Sequence, residues 1–90
     1  MTGDGPEWLR HNPTLVQGYR FNGANAEAIA TWVRANGGEA WFVEGELVVA
    51  TPDGHHTTLV GDTVIHGTQH EHYQIRPPVR AACYETVETT

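Results

Sequence analysis

Three histidines, His66, His70 and His72, fall within the seven residues "HGTQHEH". Imidazole is the side chain that ligates metals while neutral, titrates near neutral pH and hydrogen-bonds anions, so a cluster of this kind raises all three chemistries. If Gly67-Thr68-Gln69 is a three-residue hairpin loop, His66 lies opposite His70 and Val64 opposite His72, and all three rings point to one face. Cross-strand Cβ atoms are about 5 Å apart, and a zinc ion with bonds of about 2.0–2.1 Å can be reached by three such rings. His66, His70 and His72 are the metal set this spacing permits.

Parity and charge argue for a different use. The same face continues through Gln74 and Arg76, whose guanidinium repels a divalent cation, while Glu71, the nearest carboxylate, points the other way. Ile65, Tyr73 and Ile75 take the opposite parity and are expected to face the core, which puts the histidines on the solvated side. The sequence therefore predicts no metal and no cofactor, but a polar, solvated sheet face of His66, His70, His72, Gln74 and Arg76, with a surface that offers donors to an anionic ligand or a partner as the alternative use. "GDTVIHGTQHEH" also resembles the second metal-binding motif of cupins, in which glycines turn the chain around a ligating histidine. A cupin needs an upstream motif with spaced histidines; His55-His56 are adjacent and are expected to flank a turn, so a cupin-like metal enzyme ranks third. Cys83 reads as a small strand residue, Glu44 and Glu46 flank a turn, and "GDG" lacks the strand, lysine and helix of a phosphate loop. No catalytic residue is assigned, and the chain is not expected to be an enzyme.

These residues must be positioned by short elements. Residues 1–13 hold two prolines and two glycines and predict an irregular arm, followed by a single α+β domain over 14–90. "TLVQGYRFN" is a strand candidate, with Leu15, Gln17, Tyr19 and Phe21 on one parity. Next comes a helix, with Asn25 as N-cap, an apolar stripe of Ile29, Trp32 and Val33, a wet face of Glu27, Thr31 and Arg34, and Gly37-Gly38 as terminator. Trp32 is expected to anchor the helix to a sheet. From Glu39 the period becomes two, with strands at 39–44, 46–51, 56–60, 63–66 and 70–76 separated by Glu-Gly, Pro-Asp-Gly, Gly-Asp and Gly-Thr-Gln turns. A helical turn after Pro78 and a last strand at 83–87 complete the reading. The expected fold is α+β, with one amphipathic helix on a curled, mostly antiparallel sheet of five to seven short strands.

Composition narrows the partners. Ninety residues support one core; five arginines, no lysine and eleven carboxylates give a net charge of −6. Duplex nucleic acid is excluded as the main partner, because its binding needs clustered cations. No apolar run approaches the roughly 18 residues of a membrane span, and Met1–Pro6 shows no signal-peptide pattern, so a cytoplasmic protein is expected. The single cysteine has no internal disulfide partner. Protonation of the six histidines below their ordinary pKa of about 6.5 would carry the charge from −6 toward zero and lower solubility near pH 5–6.

"GDTVIHG", "HEHY", "IRPPV" and "CYE" stand in the order and spacing of a pattern in small proteins of tailed phages and prophages: Gly-Asp-Trp, two β-branched residues, a basic residue and Gly; Gly-Glu-Phe/His-Tyr; Lys-Pro-Asp-Ile-Phe; and Thr-Tyr-Glu. "VQGYRFNG", "NAEAIATWV" and "VVATPDG" fit its upstream half, so the resemblance spans residues 13–88. The chain departs from it at Thr63 (Trp in the pattern), His66 (Lys or Arg), His70 (Gly), Gln74 (Pro) and Pro78-Val79-Arg80. The resemblance implies a single small α+β domain of phage origin, and the absence of lysine suggests a GC-rich actinobacterial phage. It implies no activity. The expected function is a non-enzymatic phage accessory protein that acts on a host or phage protein in the bacterial cytoplasm. The alternative is a binder of a small anionic ligand, such as a nucleotide signal of host defence, held by His72, Tyr73, Arg76 and Trp41. A homodimer that buries sheet edges is compatible with either.

Overall fold

The computed structural model of the protein describes residues 5–11 and 14–87. Eight strands and two helices follow one another as β1 (Glu7–His11), β2 (Thr14–Arg20), α1 (Ala26–Ala35), β3 (Ala40–Val43), β4 (Glu46–Thr51), β5 (Gly54–Thr58), β6 (Thr63–His66), β7 (His72–Ile75), α2 (Pro77–Cys83) and β8 (Glu85–Val87). The fold is α+β. Instead of one curled sheet there are two open ones, ordered β7-β6-β2-β1-β8 and β3-β4-β5, with every pair antiparallel.

Residues 7–11 are the main correction to the expected architecture. They form no irregular arm but an interior strand of the larger sheet, paired with β2 on one side and β8 on the other. Among the described side chains of this strand only Leu9 is fully buried, while Trp8 is 37% exposed, so the apolar alternation that marks a strand is nearly absent. Gly5 and Pro6 precede the strand without regular structure, and residues 1–4 and 12–13 of the predicted arm lie outside the described residues.

Helix α1 starts and stops where its sequence predicts, with a different first cap. Asn25 occupies the N-cap position but makes no side-chain bond to the helix. Its Nδ2 donates to the Arg20 carbonyl at 2.8 Å and its Oδ1 accepts from the Asn22 N–H at 3.0 Å, fastening the β2–α1 connection instead. At the other end the Gly38 N–H reaches the Val33 carbonyl and the Gly37 N–H the Arg34 carbonyl, a Schellman termination made possible by Gly37 at φ 87°.

The helix lies between the sheets. Ile29, Ala30 and Val33 meet Tyr19 and Val64 from the larger sheet, Phe21 just past the end of β2, and Ala40, Leu47 and Val49 from the smaller sheet in a single apolar cluster. The opposite face of the larger sheet carries a second cluster of Leu9, Val16, Ile65 and Ile75, flanked by Tyr73 and Tyr84. Arg80 of α2 spans that side, donating to Thr63 Oγ1 at 2.9 Å and pairing with Glu7 at 2.5 Å. Both faces of the larger sheet are thus occupied, which is why Thr63, Val64 and Ile65 in succession are all fully buried. Gly18 is required here by space: a Cβ would lie 2.8 Å from Leu9 Cδ1 and 2.8 Å from Thr63 Cγ2. Among the described residues no helix is long and apolar enough to cross a membrane.

Candidate functional site

The histidine hairpin is shifted by two residues from its expected register. His66 pairs with His72 and Val64 with Gln74. The Gly67 N–H donates to the Glu71 carbonyl at 2.7 Å and the His70 N–H to the Gly67 carbonyl at 3.2 Å, so the three-residue loop is 68–70. His70, at φ 68°, takes the left-handed position that glycine favours. Gly67 serves instead as a close-approach residue, since a Cβ there would lie 2.5 Å from the Glu71 carboxylate. That carboxylate accepts the Gln69 N–H at 2.9 Å, holding the loop.

His66 and His72 share a face, as parity requires, but that face is covered by α1. His72 is 2% exposed, and the expected outward display of the histidines is overturned at this residue. The His66 Nδ1 and His72 Nε2 atoms are 3.1 Å apart, one donating and the other accepting. Trp32 stands edge-on to both rings, at centroid distances of 6.4 and 5.8 Å, and Tyr19 packs edge-on to Trp32 at 5.6 Å. Gly38, delivered by the helix termination, leaves the space that the His72 ring fills; a Cβ there would lie 2.4 Å from Nδ1. Burial, reinforced by the neighbouring His66 and partly opposed by Glu71, lowers the His72 pKa to about 4.

The other predicted site residues diverge. His70 stays in the exposed loop with its ring 5.7 Å from His66. Gln74 reaches across to the Thr57 carbonyl of β5 at 3.4 Å, linking the two sheets. Arg76 binds the carboxylate of Asp62 at 2.5 Å, and Asp62, itself buried, also accepts the Leu59 N–H at 3.0 Å. Asp62 in the Gly-Asp pair is therefore a structural acceptor that organises the β5–β6 connection, and Arg76 is its counter-charge. Among the described residues no group of three or more His, Cys, Asp or Glu side chains is arranged to hold a metal ion. Tyr73 and Tyr84 join their hydroxyls at 3.2 Å on the opposite side of the sheet, and burial together with that bond raises the Tyr73 pKa.

No protein-family model, no curated protein and no solved structure matches this chain. Its surface chemistry must be read from its own side chains.

The most distinctive surface is on the smaller sheet, away from the histidines. The register places Trp41 opposite Val48, Val43 opposite Glu46 and Ala50 opposite His55, so these side chains share the face turned away from α1. Trp41 is 38% and Val43 53% exposed, a concentration of apolar area unusual for an outer sheet face. The His55 ring packs on Trp41 with centroids 4.9 Å apart. Trp41, Val43, Val48, Glu44 and Glu46 line an open concavity of about 430 Å³. Sequence reasoning took Glu44 and Glu46 as turn-flanking charges and linked Trp41 only to the histidine hairpin. Strand alternation alone places Trp41, Val43, Val48 and Glu46 on one face, but which face the helix covers has no signal in the sequence.

Proposed function

We propose that the protein is a non-enzymatic interaction module that docks a partner protein on the outer face of the β3–β5 sheet. The exposed Trp41 and Val43 beside Val48, lining one concavity, carry this reading. Solvent-facing sheet surfaces are ordinarily polar, and an aromatic anchor in a shallow socket is the usual centre of a protein contact. The phage resemblance supplies the setting, a host or phage protein met in the bacterial cytoplasm. The small-anion reading has less support: its donors are dispersed, with Arg76 on Asp62 and His72 enclosed under α1.

Immobilised protein should retain a stoichiometric partner from bacterial lysate. Trp41→Glu should lose it, and Glu27→Lys, on the wet face of α1, should keep it. Equal retention by Trp41→Glu, or no partner retained at all, would overturn the proposal.

A further inference from the structure

The concavity has a chemical character that narrows what enters it. Its lining combines the apolar Trp41, Val43 and Val48 with the acidic Glu44 and Glu46. Its volume of about 430 Å³ lies in the range of roughly 300–1,000 Å³ typical of side-chain and small-ligand clefts. Among the described residues neither Glu44 nor Glu46 has an ion-pair partner: Arg10 pairs with Glu85, Arg76 with Asp62 and Arg80 with Glu7. Arg34 is turned to the Ala40 carbonyl, 2.8 Å away. An indole face beside two uncompensated carboxylates is complementary to a cation, and to a guanidinium above all, which stacks on the ring while its N–H groups fork onto a carboxylate.

The strand that bears Trp41 is also open. β3 is an edge of its sheet. The Ala50 N–H bonds the Glu39 carbonyl, so the antiparallel alternation directs the backbone groups of Trp41 and Val43 toward β4 and those of Ala40 and Phe42 outward. Arg34 covers the outward carbonyl of Ala40, and Phe42 presents its N–H and C=O at the edge. A strand added there would place a residue beside Trp41, on the same face and about 5 Å away. A second copy of this chain is the poorer occupant, because an isologous pairing sets the same two carboxylates against themselves in a chain of net charge −6.

We infer that the concavity is a socket for an arginine side chain on an extended segment of the partner, which pairs along the edge of β3. This rests on the docking reading above and adds the chemistry of the occupant.

The test uses the ¹⁵N-labelled protein and two synthetic peptides of alternating threonine and valine, one carrying two arginines and the other citrulline at the same places. The arginine peptide should shift the Trp41 indole and the Phe42 and Val43 amides. Its affinity should fall tenfold or more with citrulline, with the Glu44→Gln/Glu46→Gln pair, or in high salt. Equal binding of the citrulline peptide, binding of neither peptide, or a dimer in light scattering that Trp41→Glu dissolves would overturn the arginine assignment. In the capture experiment, retention that survives Glu44→Gln/Glu46→Gln but not Trp41→Glu would overturn the arginine socket and leave the docking face standing.

Discussion

His66 and His72 face each other across β6 and β7 with 3.1 Å between their ring nitrogens, closed in by Trp32 from above. A proton added to His72 would be buried beside a second imidazole, and the protein resists it by lowering the pKa to about 4. In the unfolded chain the same group protonates near its ordinary value of 6.5. Between those values the unfolded state binds more protons than the folded one, so this group's contribution to stability is complete above pH 6.5 and is lost as pH falls toward 4. At about 1.4 kcal/mol per pKa unit the loss is on the order of 3 kcal/mol. Urea denaturation across pH 4–8 should show the decline, and the His72 ring resonance should titrate with a midpoint near 4. A midpoint near 6.5 would contradict the burial argument. The same enclosure withholds one of the six histidines from the acid-driven loss of charge expected from composition.

Thr58 is 3% exposed and its Oγ1 finds no hydrogen-bond partner among the described residues. Valine has nearly the same shape without the hydroxyl, so Thr58→Val should stabilise the protein by about 1–2 kcal/mol. A lower urea midpoint for the variant would show that the hydroxyl is satisfied.

Arg76→Ala leaves the buried Asp62 carboxylate with the Leu59 N–H but without its guanidinium. The Arg76 side chain is half exposed, so water replaces part of what is lost, and the cost should be about 1–2 kcal/mol, below that of breaking a fully enclosed pair. Arg76→Lys should recover part of it. An Arg76→Ala protein as stable as the parent would rule out Asp62–Arg76 as the fastening of the β5–β6 connection.

Glu44 and Gly45 form the two-residue turn between β3 and β4, both with positive φ, 50° and 81°. Asparagine tolerates the first of these positions better than glutamate. Glu44→Asn should raise stability by about 0.5–1 kcal/mol, a shift of a few degrees in melting temperature for a domain of this size. The variant should bind the arginine peptide less well, a stability gain set against a binding loss. Thermal melts paired with titrations would measure both, and a melting temperature no higher than the parent's would exclude strain at Glu44.

Much of the architecture was legible because its signals are local. α1 has a sharp apolar stripe and a glycine terminator, and the β3–β5 meander has turn residues at each reversal. Two failures have separate causes, burial of both faces at β6 and β7 and a nearly patternless short strand at β1. For β6 and β7 the sequence identified which side chains lie together but took one face for the outside, whereas Ile65 and Val64 each face a core. In β1 the buried Leu9 lies between the exposed Trp8 and Arg10, and little in the local pattern signals a strand that both neighbours require. The loop register was within reach: the phage pattern has glycine where His70 adopts positive φ, which marks position 70 as the left-handed residue. The socket around Trp41 was not, because it depends on knowing which face of the small sheet the helix covers.

Strand β1 lies between β2, its neighbour in the chain, and β8, whose Val87 stands opposite Trp8. The larger sheet is therefore completed by segments separated by nearly the whole described chain, and Arg80 bridges the same interval to Glu7. Closing so long a loop costs entropy before any contact repays it, so this pairing should form late in folding, after α1 and the β3–β5 meander have assembled. During synthesis the outer face of β3–β5 can take shape while Leu9 still waits for the strand that will cover its edge.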